Sequence, residues 1–122
     1  MDEIRDFATK LFDLARAGDA TLLDYIAQGV NVDMVNQDGQ SFIMLAAYHG
    51  HAELVSQLAA AGADVNLLND RGQSPLAGAI FKKEDAVVDA LLNAGADAHA
   101  GQPNALDSAR MFGREDLLER LS

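Results

Sequence analysis

One period governs this sequence. Asn36, Gly39, Gln40 and Ser41 return as Asn69, Gly72, Gln73 and Ser74, each 33 positions later. Gly62-Ala63-Asp64 returns as Gly95-Ala96-Asp97 at the same offset, and Gly29 stands 33 before Gly62. A unit this short cannot bury an apolar face alone, so a fixed period of this kind restricts the chain to supersecondary units stacked on one another.

Within each period the apolar spacing is helical. Leu54, Val55 and Leu58 recur as Val87, Val88 and Leu91, earlier as Leu22, Leu23 and Ile26, and last as Leu117, Leu118 and Leu121. Positions i, i+1 and i+4 fall on one stripe of an α-helix. Glu53, Glu84, Asp85, Glu115 and Asp116 stand at the starts of these helices, where negative charge suits the dipole. Gly62 and Gly95 follow them as left-handed C-terminal residues. A shorter helix precedes each. Ser74-Pro75 reads as an N-cap followed by proline in the first turn, and Ser41 and Asn104 hold the same capping place. The small residues Ala46, Ala47, Ala79 and Ala109 then allow close helix contact. Asn36-Gln37-Asp38-Gly39 and Asn69-Asp70-Arg71-Gly72 are turn sequences between the pairs. These signals predict an all-α stack of four helix pairs, roughly 2–28, 41–61, 74–94 and 104–121, with hairpin arms after the first and second pairs. A hydrophobic content of 49% with no Trp and 6% aromatics fits helices packed through small residues.

The run Asp38-Gly39-Gln40-Ser41 through Leu45-Ala46-Ala47-Tyr48-His49-Gly50-His51-Ala52-Glu53-Leu54-Val55, closed by Gly62-Ala63-Asp64-Val65-Asn66, resembles the ankyrin repeat, and the likeness extends from about Leu11 to the C-terminus. The resemblance implies a solenoid of stacked helix-turn-helix units with short hairpin loops. It forms one domain, 1–122, of units at about 2–35, 36–68, 69–101 and 102–122. Three departures stand out. The family's Thr-Pro-Leu-His appears as Ser41-Phe42-Ile43-Met44, Ser74-Pro75-Leu76-Ala77 and Asn104-Ala105-Leu106-Asp107, so its histidine, a polar tie at the hairpin base, is missing from every copy. Lys83 stands where Gly50 stands one repeat earlier, which predicts a strained or differently shaped turn. Ser74 to Asn104 is three residues short of the period, so the connection through His99–Pro103 is shortened. The first helix, carrying Asp2, Glu3, Arg5, Asp6, Lys10 and Asp13, and the last pair, carrying Arg110, Arg114, Glu115, Asp116, Glu119 and Arg120, read as polar caps of a complete array.

The resemblance also implies a function, protein–protein interaction through the concave side built by hairpin tips and the exposed face of each first helix. Carried over position by position, that surface comprises Val35, Gln37, Asp38, Gln40, Tyr48 and His49 from the second unit and Leu68, Asp70, Arg71, Gln73, Phe81 and Lys82 from the third. The first unit adds Arg16 and Ala17, the last Met111 and Phe112. Exposed together, Tyr48, Phe81, Met111 and Phe112 make an apolar patch of the kind that marks a binding site; the alternative turns Met111 or Phe112 inward to finish the core. One residue of each pair Met34-Val35 and Leu67-Leu68 is expected to pack on a neighbouring unit.

Other chemistries find little support. With 19 acids against 9 Lys and Arg, the chain carries a formal charge of −10, and acids outnumber bases in both halves. It lacks the basic cluster that nucleic acid requires, and its field favours a basic or neutral protein surface. Absence of Cys removes disulfides and thiolate sites. His49 and His51 point to different sides of a turn, with His51 matching a structural Gly-His turn, so no metal is expected. No Ser lies in a nucleophile-elbow context, the paired acids are explained by helix starts, and no phosphate loop is present. No catalytic residue, cofactor or membrane partner is therefore expected. The N-terminus has no apolar signal run and nothing approaches a membrane span, which points to a cytoplasmic monomer. Two functions follow. The first is an adaptor or regulator; the alternative is an inhibitor of immunity or antitoxin type, blocking a basic partner.

Overall fold

The computed structural model describes residues 2–121; Met1, Ser122 and the side chain of Asp2, expected to be part of the polar cap, lie outside what is described. Among the described residues eight helices form four consecutive pairs: α1 (Asp2–Ala17) with α2 (Thr21–Ala27), α3 (Phe42–Tyr48) with α4 (Ala52–Ala60), α5 (Pro75–Phe81) with α6 (Asp85–Asn93), and α7 (Ala105–Met111) with α8 (Glu115–Leu121). Inner helices stack in the order α1, α3, α5, α7, and α4 packs on α6. The four expected pairs and the all-α stack are thus observed. Between described residues the single β feature is an isolated antiparallel bridge from Val35 to Ser41.

Local chemistry accounts for the helix ends. The Ser41 and Ser74 hydroxyls accept from the backbone N–H of Met44 (3.2 Å) and Ala77 (3.1 Å), and Asn104 Oδ1 accepts from Asp107 N (2.8 Å). Each cap satisfies a donor that the first turn leaves without a helical partner. The helices end in left-handed residues, Gly62 at φ +100° and Gly95 at φ +88° among them. At the turn between α5 and α6, Lys83 itself takes φ +59°. Its hydrogen bonds copy those of the glycine turn one unit earlier: Glu84 N donates to Ala79 O at 2.9 Å, as His51 N donates to Ala46 O at 2.9 Å. The Lys83 turn is therefore strained and keeps its shape.

The helical stripes close the core as expected. Leu54, Val55, Leu58, Val87, Val88 and Leu91 are all buried between units, with Ala46, Ala47, Ala79 and Ala109 at the close inner-helix contacts. Met34 packs on this core while Val35 is exposed; Leu67 is half-buried and Leu68 exposed. The outer surface of the first unit departs from the polar cap expected there. Ile4 is 73% exposed and Phe7 42%, Phe7 standing edge-on to Tyr25 with ring centres 5.4 Å apart. The charges of α1 are interleaved with these two apolar residues.

The hairpin loops are tied to one another as well as closed. Asn36 Oδ1 accepts from the N–H of Asp38 and Gln40, and Asn69 Oδ1 from those of Arg71 and Gln73. Asn69 Nδ2 also donates to Gln73 Oε1 at 2.8 Å. This asparagine–glutamine clasp stands at the hairpin, where the histidine tie is missing. Between units, Asp70 N donates to Asp38 O, Asp64 N to Asp33 Oδ1 and Asp97 N to Asn66 Oδ1. In the shortened third connection Gln102 N donates to Gly72 O, and Gly101 lies so close that an added Cβ would stand 2.8 Å from that same oxygen. The shorter loop reaches the stack only because Gly101 has no side chain.

Candidate functional site

Helix spacing and unit spacing together build one groove on the inner-helix side. Tyr48, Phe81 and Met111 close α3, α5 and α7 at equivalent positions of three successive units, and His49, Lys82 and Phe112 follow them. Because the units stack in register, residues far apart in the chain become a row. Tyr48 is 38% exposed, Phe81 56%, Met111 68% and Phe112 40%. Neither Met111 nor Phe112 turns inward, so the core alternative for them is ruled out. The Phe81 and Phe112 rings meet edge-to-face with centres 5.6 Å apart. Tyr48 leans over the next unit, where its Cδ1 would be 3.6 Å from a Cβ placed on Gly78.

These residues line a cavity of about 480 Å³, within the range of sites that hold a ligand or side-chain cluster. Of the expected surface, Gln40, Tyr48, Arg71, Gln73, Phe81, Met111 and Phe112 line it together. Lys82 stands at its edge, Nζ 4.8 Å from the centre of the Tyr48 ring, a cation–π geometry. His49 touches the other side of Tyr48, ring centres 6.0 Å apart. Val35, Gln37, Asp38, Leu68 and Asp70 are exposed on the hairpin arms and tips and do not line the groove.

Sequence reasoning missed the floor. Met44 and Ala77, both nearly buried, lie one helical turn before Tyr48 and Phe81 and line the same cavity, as do Ser108 and Pro103. The i−4 rule applied to Tyr48 and Phe81 would have found the first two.

The electrostatics of the groove differ from those of the chain. No Asp or Glu is among its lining residues; Arg71 is the charged one. Partial burial lowers the His49 pKa below its usual value, and the nearby positive charges of His51, Arg16 and Lys82 lower it further. His51 serves the scaffold: its Nε2 lies 2.6 Å from the carbonyl of Arg16, joining the first two units. Acids are instead spent between units elsewhere. Arg114 forks onto Asp85 and holds Asp116 at 3.0 Å, and Arg120 bonds Asp89 at 2.6 Å. The Arg114 guanidinium, bonded to Asp116 and then to Asp85, is held well above its ordinary pKa, and Asp116 is held below its own.

Comparison with known proteins agrees with this architecture. A family model described as ankyrin repeats (3 copies) matches residues 11–102. An ankyrin repeat protein of Pseudomonas aeruginosa is 44% identical over 54 residues, covering 43% of this chain and 32% of that protein. The crystal structure of the human ASB11 ankyrin repeat domain superposes with a TM-score of 0.74 at 32% identity, over 91% of this chain and 52% of that one. The chain thus spans about a third of the bacterial relative and about half of the human domain.

Proposed function

This chain belongs to the ankyrin-repeat family, whose repeats are protein–protein interaction modules, and we propose that it acts as an adaptor or regulator that holds a partner protein in its concave groove. The observation that carries this reading is the row of exposed apolar side chains at equivalent positions of three units. Tyr48, Phe81, Met111 and Phe112 cost solvation when left open to water, and a partner that covers them recovers it. Aromatic residues in a concave, partly desolvated row are also the type that concentrates binding energy. We propose a non-catalytic role: the hydroxyls of Ser41 and Ser74 are occupied as helix caps, and Asp85 and Asp116 are paired with Arg114.

The test compares Tyr48→Ala and Phe81→Ala with Gln57→Ala on the outer helix α4. Partners captured from the native host by the wild-type protein should be retained by Gln57→Ala. Each concave substitution should weaken binding by about 1 kcal/mol or more. A partner lost with Gln57→Ala and kept by both concave variants would move the site to the outer helices.

A further inference from the structure

Resting on the concave-face reading, we propose that the groove takes an apolar peptide segment that carries a carboxylate, with Arg71 in the lining receiving the acid and Lys82 adding positive charge at the edge, over Tyr48. In a chain with 19 acids and 9 Lys and Arg, the lining contains no acid and one base, and a second base stands over Tyr48. Neither Arg71 nor Lys82 has an ion-pair partner among the described residues, whereas Arg16, Arg110, Arg114 and Arg120 all do. The two cations at the groove are open to an incoming anion, as are Arg5, Lys10 and Lys83 elsewhere on the chain.

The polar groups point the same way. Gln73 accepts from Asn69 through Oε1, so its free end on the groove is the Nε2 donor. Arg71 presents a donor fork whose shape matches a carboxylate. A basic segment would lie beside two like charges with no acid in the lining to pair it, and a buried unpaired charge is strongly disfavoured. A wholly apolar segment would cover the row but leave the Arg71 guanidinium partly desolvated and unpaired. Asp38 and Asp70 stand on the hairpin tips outside the lining, so at the groove itself the contact chemistry is the reverse of the long-range field of the chain.

Selection from a random phage-displayed peptide library on the purified full chain tests this. Enriched sequences should pair Asp or Glu with a large apolar residue, and synthetic peptides of those sequences should bind. The double variant R71E/K82E should weaken them about tenfold or more, and peptides with the acid changed to Lys should regain that loss on the variant. Both substituted residues are exposed, and an unchanged melting curve verifies folding. Enriched peptides that are basic or uncharged, indifferent to R71E/K82E and lost with Phe81→Ala, would overturn the carboxylate proposal and leave the concave site standing. Acidic peptides indifferent to both Phe81→Ala and R71E/K82E would overturn the concave reading itself. Enrichment no greater than on R71E/K82E would overturn the proposal as well.

Discussion

Replacing Lys83 with glycine should stabilise this protein although it removes a side chain. Lys83 sits at φ +59° and closes the α5–α6 turn with the same hydrogen bonds as the turn at Gly50. A residue with a Cβ held in the left-handed region costs roughly 1–2 kcal/mol. Glycine removes that cost, but its freer unfolded chain returns about 0.4–1 kcal/mol. The net gain for Lys83→Gly is then about 0.5–1 kcal/mol, which for a chain of this size raises the melting midpoint by roughly 2–5 °C. Thermal melts and urea titrations followed by circular dichroism would measure it. Lys83→Ala serves as the control, since it deletes the charge and keeps the Cβ. Gly50→Ala should move the midpoint down, because φ there is +82° and the new Cβ would stand 2.7 Å from a Glu84 carboxylate oxygen. If Lys83→Gly leaves the midpoint unchanged or lowers it, the turn is not strained. A rise with Lys83→Ala equal to that with glycine would assign the effect to charge instead of backbone.

Three further outcomes are expected. Leu58 is fully buried between units, so Leu58→Ala should cost about 2–5 kcal/mol in denaturant unfolding, and an unchanged midpoint would refute the inter-unit register. Asn69→Ala removes one acceptor of two backbone N–H groups and the donor to Gln73. It should destabilise by about 1–3 kcal/mol and raise amide exchange at Arg71 and Gln73, and unaltered exchange would show the clasp to be dispensable. The His49 pKa is lower in the folded protein than its ordinary 6.5. The unfolded chain therefore binds more protons as the pH falls through that value, and stability is full above it and declines toward the folded pKa. Replacing His49 with Gln should flatten the fall in melting midpoint between about pH 7 and 5; an equal slope in both proteins would contradict the assignment.

Much of this molecule is written in short-range signals. The i, i+1, i+4 stripes located every outer helix, and Ser41, Ser74 and Asn104 located three inner-helix starts, because capping and helical period act within a few residues. Lys83 was legible as an anomaly, but whether its turn changed shape depends on Ala79 and Ile80 holding their carbonyls in place. The floor of the groove was less visible. Met44 and Ala77 look like ordinary core residues until α3, α5 and α7 stand side by side. The Asn–Gln clasps recur at the same period as the glycines, yet the pairing exists only after the chain reverses. Ile4 and Phe7 were masked by the charges interleaved with them on α1.

The loop-to-loop bonds join consecutive units, and the main inter-unit helix contacts likewise run from each unit to the next. Mechanically, such a stack is a set of hinges in series. Small rotations at successive seams add, so its curvature is softer than any one interface. The width of the groove is therefore set by the angles between plates more than by side-chain rotamers within it. A change of volume at Leu54 or Val87, buried at the seams and absent from the groove lining, would splay or narrow the row from Tyr48 to Met111 without touching it. The shape presented to a partner can thus drift through the core while every residue in contact stays the same.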